Sequence, residues 1–195
     1  MNGNNNNYLK MATLSSKQII ADYVNHRLAK DGYEWQNCPP LPPVNRVNRT
    51  LRLVGDEFEQ RYREVFNEMC SQLHITPTTA YPTFIAVVNE LFSDGIKWGR
   101  VVALHAFGGA LAAQCIEKEM PDIVDNIVDW VATYVEQQLN SWIIENGDWD
   151  GFVKFYENGP DREKKDAWPN LRNIWGYAAG ALGVLTIGAI MSQRS

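Results

Sequence analysis

The chain has 195 residues, 45% of them hydrophobic, which is enough for one domain with a sizeable core. Its formal net charge of -5 is the wrong sign for recognising nucleic acid through phosphates, so no nucleic-acid partner is expected. Cys38, Cys70 and Cys115 fit neither a disulfide framework nor a CxxC metal knuckle, and reduced thiols in the cytosol follow. The opening MNGNNNNYLK pairs no basic region with an apolar core, so no secretory signal is expected.

Ser15 to Lys30 carries Ile19, Ile20, Tyr23, Val24 and Leu28 at helical spacing, with Ser15 or Ser16 to cap its start and Gly32 to end it. Residues 31–46 form a linker whose prolines (Pro39, Pro40, Pro42 and Pro43) deny it a regular helix. Val47, Leu51, Val54, Phe58, Tyr62, Val65, Phe66, Met69 and Leu73 then step by threes and fours, predicting one long helix with a single apolar face. Pro77 closes that region. A shorter helix is predicted over 82–93, with Phe84, Val87, Val88 and Leu91 inward, broken by Asp94-Gly95.

From Val101 through Ile116 no residue is charged. A helix apolar on every side is buried on every side, so Trp98 to Glu117 is predicted to be the central helix. Pro121 opens the next one, whose stripe of Ile123, Ile127, Val131, Tyr134, Val135, Leu139 and Trp142 runs to Ile144. There is no alternating strand pattern and no internal repeat, so the chain is predicted to be all-α, a helical bundle over residues 1–172.

The far end differs. Ile174 to Met191 is uncharged and mostly apolar, preceded by Lys164, Lys165 and Arg172 and followed by four residues. As a helix it spans about 27 Å, close to a hydrocarbon core. Residues 173–195 therefore read as a C-terminal tail anchor, inserted after synthesis, that leaves the domain facing the cytosol. Gly176 and Gly180 provide a small-xxx-small packing face. The competing readings are a C-terminal helix buried against the domain, or one folded back into a groove of its own surface.

Asn146, Asp148, Asp150, Gly151 and Glu157 match ligand and turn positions of a calcium-binding loop. Lys154 at the ninth position cannot ligate, no second loop exists, and Asn158-Gly159-Pro160 stops the exit helix. The rival is a short helix capped by Asp148, with Trp149, Phe152, Val153 and Tyr156 on one face. The two exclude each other and the helix is preferred; a calcium-regulated helical protein using 146–157 stays as an alternative. His26, His74 and His105 are far apart, and no nucleophile elbow or phosphate loop occurs, so no catalytic site, metal or cofactor is expected. His105, inside the apolar helix, is expected to be a satisfied core residue.

Four segments, in order, resemble the homology regions of the B-cell-lymphoma-2 (Bcl-2) family of apoptosis regulators. SKQIIADYVNHRLAKDGYEW resembles region four, and TLRLVGDEFEQRY resembles region three with Leu51, Gly55 and Asp56 as its signature. ELFSDGIKWGRVVALHAFGGALA resembles region one, and WIIENGDWDGFVKFY region two. QLHITPTTAY, KEM and WVATY extend the likeness over nearly all the chain except the first dozen residues and the proline linker.

The resemblance implies about eight helices around a hydrophobic central one, and a surface groove that captures the amphipathic Bcl homology 3 (BH3) helix of pro-apoptotic family members. Such a helix buries four apolar side chains, each contributing about 1.5–3 kcal/mol when fully desolvated. By the match, the groove comprises Phe58, Tyr62, Val65, Phe66, Met69, Val87, Leu91, Lys97, Gly99, Arg100, Ala103, Phe107 and, near one end, Tyr156. Arg100 is expected to pair bidentately with the partner's aspartate, with Gly99 permitting close approach, and Trp98 belongs to the core. Two positions depart from the family's pattern. Lys97 stands where the family's Asn-Trp-Gly-Arg has asparagine, and Asp148 replaces a frequent glycine.

Gly32-Tyr33-x-Trp35, the GDEF at 55–58 and WIIENGDWDGF resemble the death-suppressing branch. The function implied is that of a pro-survival regulator that restrains permeabilisation of the outer mitochondrial membrane. The alternative within the family is a pro-apoptotic pore-former whose residues 98–144 enter the membrane. The mitochondrial outer membrane and the endoplasmic reticulum both suit the anchor, and a homo- or hetero-dimer is left open.

Overall fold

The computed structural model describes residues 14–72, 75–174 and 176, with the backbone alone for 69–72, 162 and 165. Among them are nine α-helices and one π-helical turn, and no strand. Leu73 and the apolar run beyond Ile174, Gly176 apart, lie outside the described residues.

Helix α1 (Ser16–Lys30) starts in a capping box: Ser15 Oγ accepts the Gln18 N–H and the Gln18 side chain accepts the Ser15 N–H. Asn45 and Asn48 repeat the device at the start of α2 (Arg46–Arg61). The linker between them is tied to the bundle, since Trp35 Nε1 and Asn37 Nδ2 donate to the two carboxylate oxygens of Asp125 at 2.7 and 3.1 Å.

The apolar stripe from Val47 to Leu73 is not one helix. Helix α2 ends at Arg61, Tyr62 leaves helical geometry at φ -107°, ψ 21°, and α3 runs over Arg63–Gln72. The break turns Phe58 and Tyr62 toward the chain's C-terminal segment while Val65 and Phe66 face α4 (Ala80–Leu91) and α5 (Trp98–Glu117).

Helix α5 is the predicted centre, and every residue from Val101 to Cys115 is buried. Helices α1, α2 and α6 (Ile123–Tyr134) pack around it. Small residues let them come close: a Cβ on Gly109 would meet Arg27 and Tyr23 of α1, and one on Gly108 would meet Val131 of α6. With 20 residues and a mean hydropathy of 1.2, α5 is long and apolar enough to cross a bilayer, yet here it is the interior of the domain. Burial pushes the Cys115 thiol up to about 11, so it stays a protonated core residue at neutral pH.

Helix α6 continues through a π turn (Val135–Leu139) into α7 (Asn140–Glu145), giving one rod over the stretch predicted as a single helix. The extra residue in the turn keeps Leu139 and Ile143 inward, each 1% exposed. Gly147 and Asp148, at φ +89° and +58°, reverse the chain into α8 (Asp148–Asn158). The Asp148 carboxylate accepts the Trp149 N–H, and Trp149, Phe152 and Val153 go into the core. Residues 148–157 are thus helical, and no EF-hand loop is formed there. A short helix, α9 (Asp161–Ala167), was not expected; residues 171–174 are helical again.

Candidate functional site: an apolar groove filled by the chain's own segment

Phe58 and Tyr62 of α2's end, Val65 and Phe66 of α3, Val87 and Leu91 of α4, and Gly99, Ala103 and Phe107 of α5 all lie along one channel. Val65, Phe66, Val87, Leu91, Ala103 and Phe107 line an apolar cavity that Leu171 and Ile174 close from the other side, leaving about 20 Å³ empty. A void that size, without polar lining, stays dry. Phe84 stacks on Phe107 at 6.2 Å and 11° from beneath, fixing the floor.

The segment from Ala167 to Ile174 occupies the channel along its length. The Ala167 carbonyl lies on Gly99 so closely that a Cβ there would collide with it. Trp168 stacks on Phe58, and the Tyr62 hydroxyl donates to the Pro169 carbonyl at 3.0 Å. Ile174 is 8% exposed and Phe58 is fully buried. Each large apolar side chain so covered contributes up to about 1.5–3 kcal/mol.

The charged residues predicted for the groove behave differently. Arg100 donates to the Gly95 carbonyl at 2.6 Å and to Asp94 at 3.3 Å. Asp94 is 85% exposed, so this pairing is weak and exchangeable. Residues 167–174 carry no carboxylate to offer in its place. Lys97 is exposed at the α5 N-cap without a capping bond, and the structure does not bring it to the cavity. The Met69 side chain lies outside the described residues. Tyr156 sits against Trp168, ring centroids 6.4 Å apart, and its hydroxyl is buried without a hydrogen-bond partner. Burial, with Glu57 adding to it, pushes that phenol well above its usual range.

The chain's own region-three signature faces elsewhere. Leu51 is 1% exposed, and Gly55 packs on the ring and hydroxyl of Tyr23 in α1. Asp56 meets His26 at 3.2 Å and Lys30 at 2.7 Å. Next to it the Tyr23 hydroxyl donates to Glu59 at 2.9 Å, and Arg27 bridges Glu59 and Asp31. Burial pushes the Glu59 carboxyl up, with Arg27 opposing.

A family model described as apoptosis regulator proteins, Bcl-2 family, matches residues 51–149. Bcl-2-like protein 1 of Homo sapiens is 45% identical over 152 residues, 78% of this chain and 65% of that protein. The chain thus spans just under two thirds of the length of that relative. Apoptosis regulator R1 of Xenopus laevis is 34% identical over 194 residues, covering 96% of this chain and 83% of that protein. Apoptosis regulator Bcl-2 of Gallus gallus is 32% identical over 225 residues, covering 92% and 96%. The crystal structure of Trichoplax adhaerens trBcl-2L2 bound to trBak BH3 superposes with a TM-score of 0.66 at 40% identity, covering 73% of this chain and 97% of that one. Helices wrapped around one buried apolar helix, in this order, define the Bcl-2-like fold. The chain belongs to the Bcl-2 family of apoptosis regulator proteins.

Proposed function

We propose that this protein is a pro-survival regulator without catalytic activity, which captures the BH3 helix of pro-apoptotic family members and so restrains outer mitochondrial membrane permeabilisation. One observation carries the reading. A channel lined by six apolar side chains already holds Leu171 and Ile174, two apolar residues three positions apart on a helical stretch. That is half of an i, i+3, i+4, i+7 anchor set, and it supports a site shaped for such helices. A partner must displace the segment, and its aspartate then draws Arg100 from Asp94. The similarity to trBcl-2L2, solved bound to trBak BH3, supports a BH3 helix as the partner.

The similarity to Bcl-2-like protein 1 and to apoptosis regulator Bcl-2 supports the suppressor over the pore-forming reading. Residues 174–191 anchor the protein in the mitochondrial outer membrane or the endoplasmic reticulum in this reading.

The test is calorimetry of the full chain in nonionic detergent with BH3 peptides. Submicromolar binding, lost for Arg100→Ala and for peptides lacking the aspartate, is expected. Failure to bind any peptide discards sequestration. Dye release from liposomes by the chain itself, instead of its suppression, would install the pore-forming reading.

A further inference from the structure

We propose that the cleft between the α2–α3 junction and the groove-filling segment is a binding site for a phosphate group. The cleft, of about 700 Å³, is lined by Gln60, Arg61, Arg63 and Glu64 on one side and by Asn170 and Arg172 on the other. Three arginines and one glutamate stand among its described lining residues, a formal excess of two positive charges in a chain whose net charge is -5. The cleft is open to solvent on its outer side, as a site for a surface-borne phosphate requires. Guanidinium forks match phosphate oxygens bidentately, whereas isolated lysines act only as point charges.

Glu64, the one carboxylate among the described lining residues, does not neutralise the cleft. Glu64 stands 3.8 Å from Arg172, with the two side chains 92% and 76% exposed, a spacing and exposure at which an ion pair contributes little. The Tyr62 hydroxyl donates to the Pro169 carbonyl at 3.0 Å, so one wall of the cleft is tied to the other. Gln60 and Asn170 add amide donors from both sides.

Position favours a source. Arg172 stands two residues ahead of the apolar run 174–191. A cation there suits the phosphate of an anionic lipid headgroup at a membrane surface. Soluble phosphate offers the same chemistry without the membrane.

The experiment titrates the full chain, in nonionic detergent, with dihexanoyl phosphatidic acid and separately with inorganic phosphate, by calorimetry. Saturable binding is expected to weaken at least tenfold in Arg61→Gln/Arg63→Gln. In Arg49→Gln/Lys154→Gln, which removes two charges away from the cleft, it is expected to weaken less than twofold. The helical circular dichroism of both variants serves as the folding control, and all four side chains are exposed. Binding of the short-chain lipid alone assigns the site to a headgroup; binding of both probes assigns it to phosphate itself. Binding weaker than about 1 mM for both probes, or equal loss in the two variants, overturns the site.

Discussion

The Trp168 indole lies flat on the Phe58 ring, centroids 5.0 Å apart and planes 12° from parallel. An aromatic pair of this kind contributes about 0.5–1.5 kcal/mol beyond its buried area. Trp168→Ala removes both terms from the segment that competes for the groove. Partner affinity is expected to rise about tenfold or more, since about 1.4 kcal/mol is a factor of ten. Calorimetry with one BH3 peptide against both forms measures it; an unchanged affinity would show that the segment is no competitor.

Gly99→Ala acts on the same contact from below. Its methyl would collide with the Ala167 carbonyl and press on the Trp168 nitrogen, both backbone atoms that cannot rotate away. Residues 167–174 must lift. Amide hydrogen exchange there is expected to accelerate at least tenfold, a loss of about 1.4 kcal/mol in local opening free energy, while α5 keeps its protection. Equal exchange in both proteins would place the segment's hold elsewhere.

A third substitution probes the rear of the domain. At Gly55 the Tyr23 ring fills the space a methyl would take. That ring is fully buried and also touches the Gly109 position and the edge of His105, so it has nowhere to retreat. Gly55→Ala is expected to destabilise the fold by about 1–3 kcal/mol, the usual cost of overpacking. Urea unfolding reads it as a lower midpoint at unchanged slope.

His105 gives the fold an acid limit. Its ring is 1% exposed, Nδ1 lies 2.8 Å from the Val101 carbonyl, and burial lowers its pKa from 6.5 to about 4. The folded state holds the neutral ring and the unfolded chain takes the proton first. Stability is therefore complete above about pH 6.5 and falls as pH drops toward 4, by about 3 kcal/mol at the lower end. His105→Gln should flatten this part of the urea midpoint against pH. Parallel curves for the two proteins would assign the acid loss to other groups.

The interior was legible because α5 bears no charge from Val101 to Ile116, and no other arrangement hides such a helix in a domain of this size. The break at Tyr62 was not legible, because the stripe runs on through it in register. At the break the Tyr62 hydroxyl makes a tertiary contact to the Pro169 carbonyl, more than a hundred residues away and invisible to local spacing. The floor residues Val65, Phe66, Val87, Leu91, Ala103 and Phe107 came from the family resemblance, and the structure brings them together. Lys97 came the same way and stays outside. Trp168 and Leu171 fell in the predicted bundle without a role, and Ile174 was the first residue of the predicted anchor's apolar run. Their spacing by threes was a signal, but beside a long apolar run hydropathy alone does not separate a groove occupant from the edge of a span.

The occupied groove also fixes a length. Trp168 to Asn173 is the stretch between α9 and the run read as the anchor, and in the closed form it is folded against the domain. Once a partner evicts it, six residues become tether. Fully extended they span about 20–22 Å. With the anchor in a bilayer, partner capture would therefore let the domain stand off from the surface by up to that distance. Occupancy of the groove then becomes readable as the height of the domain above the membrane.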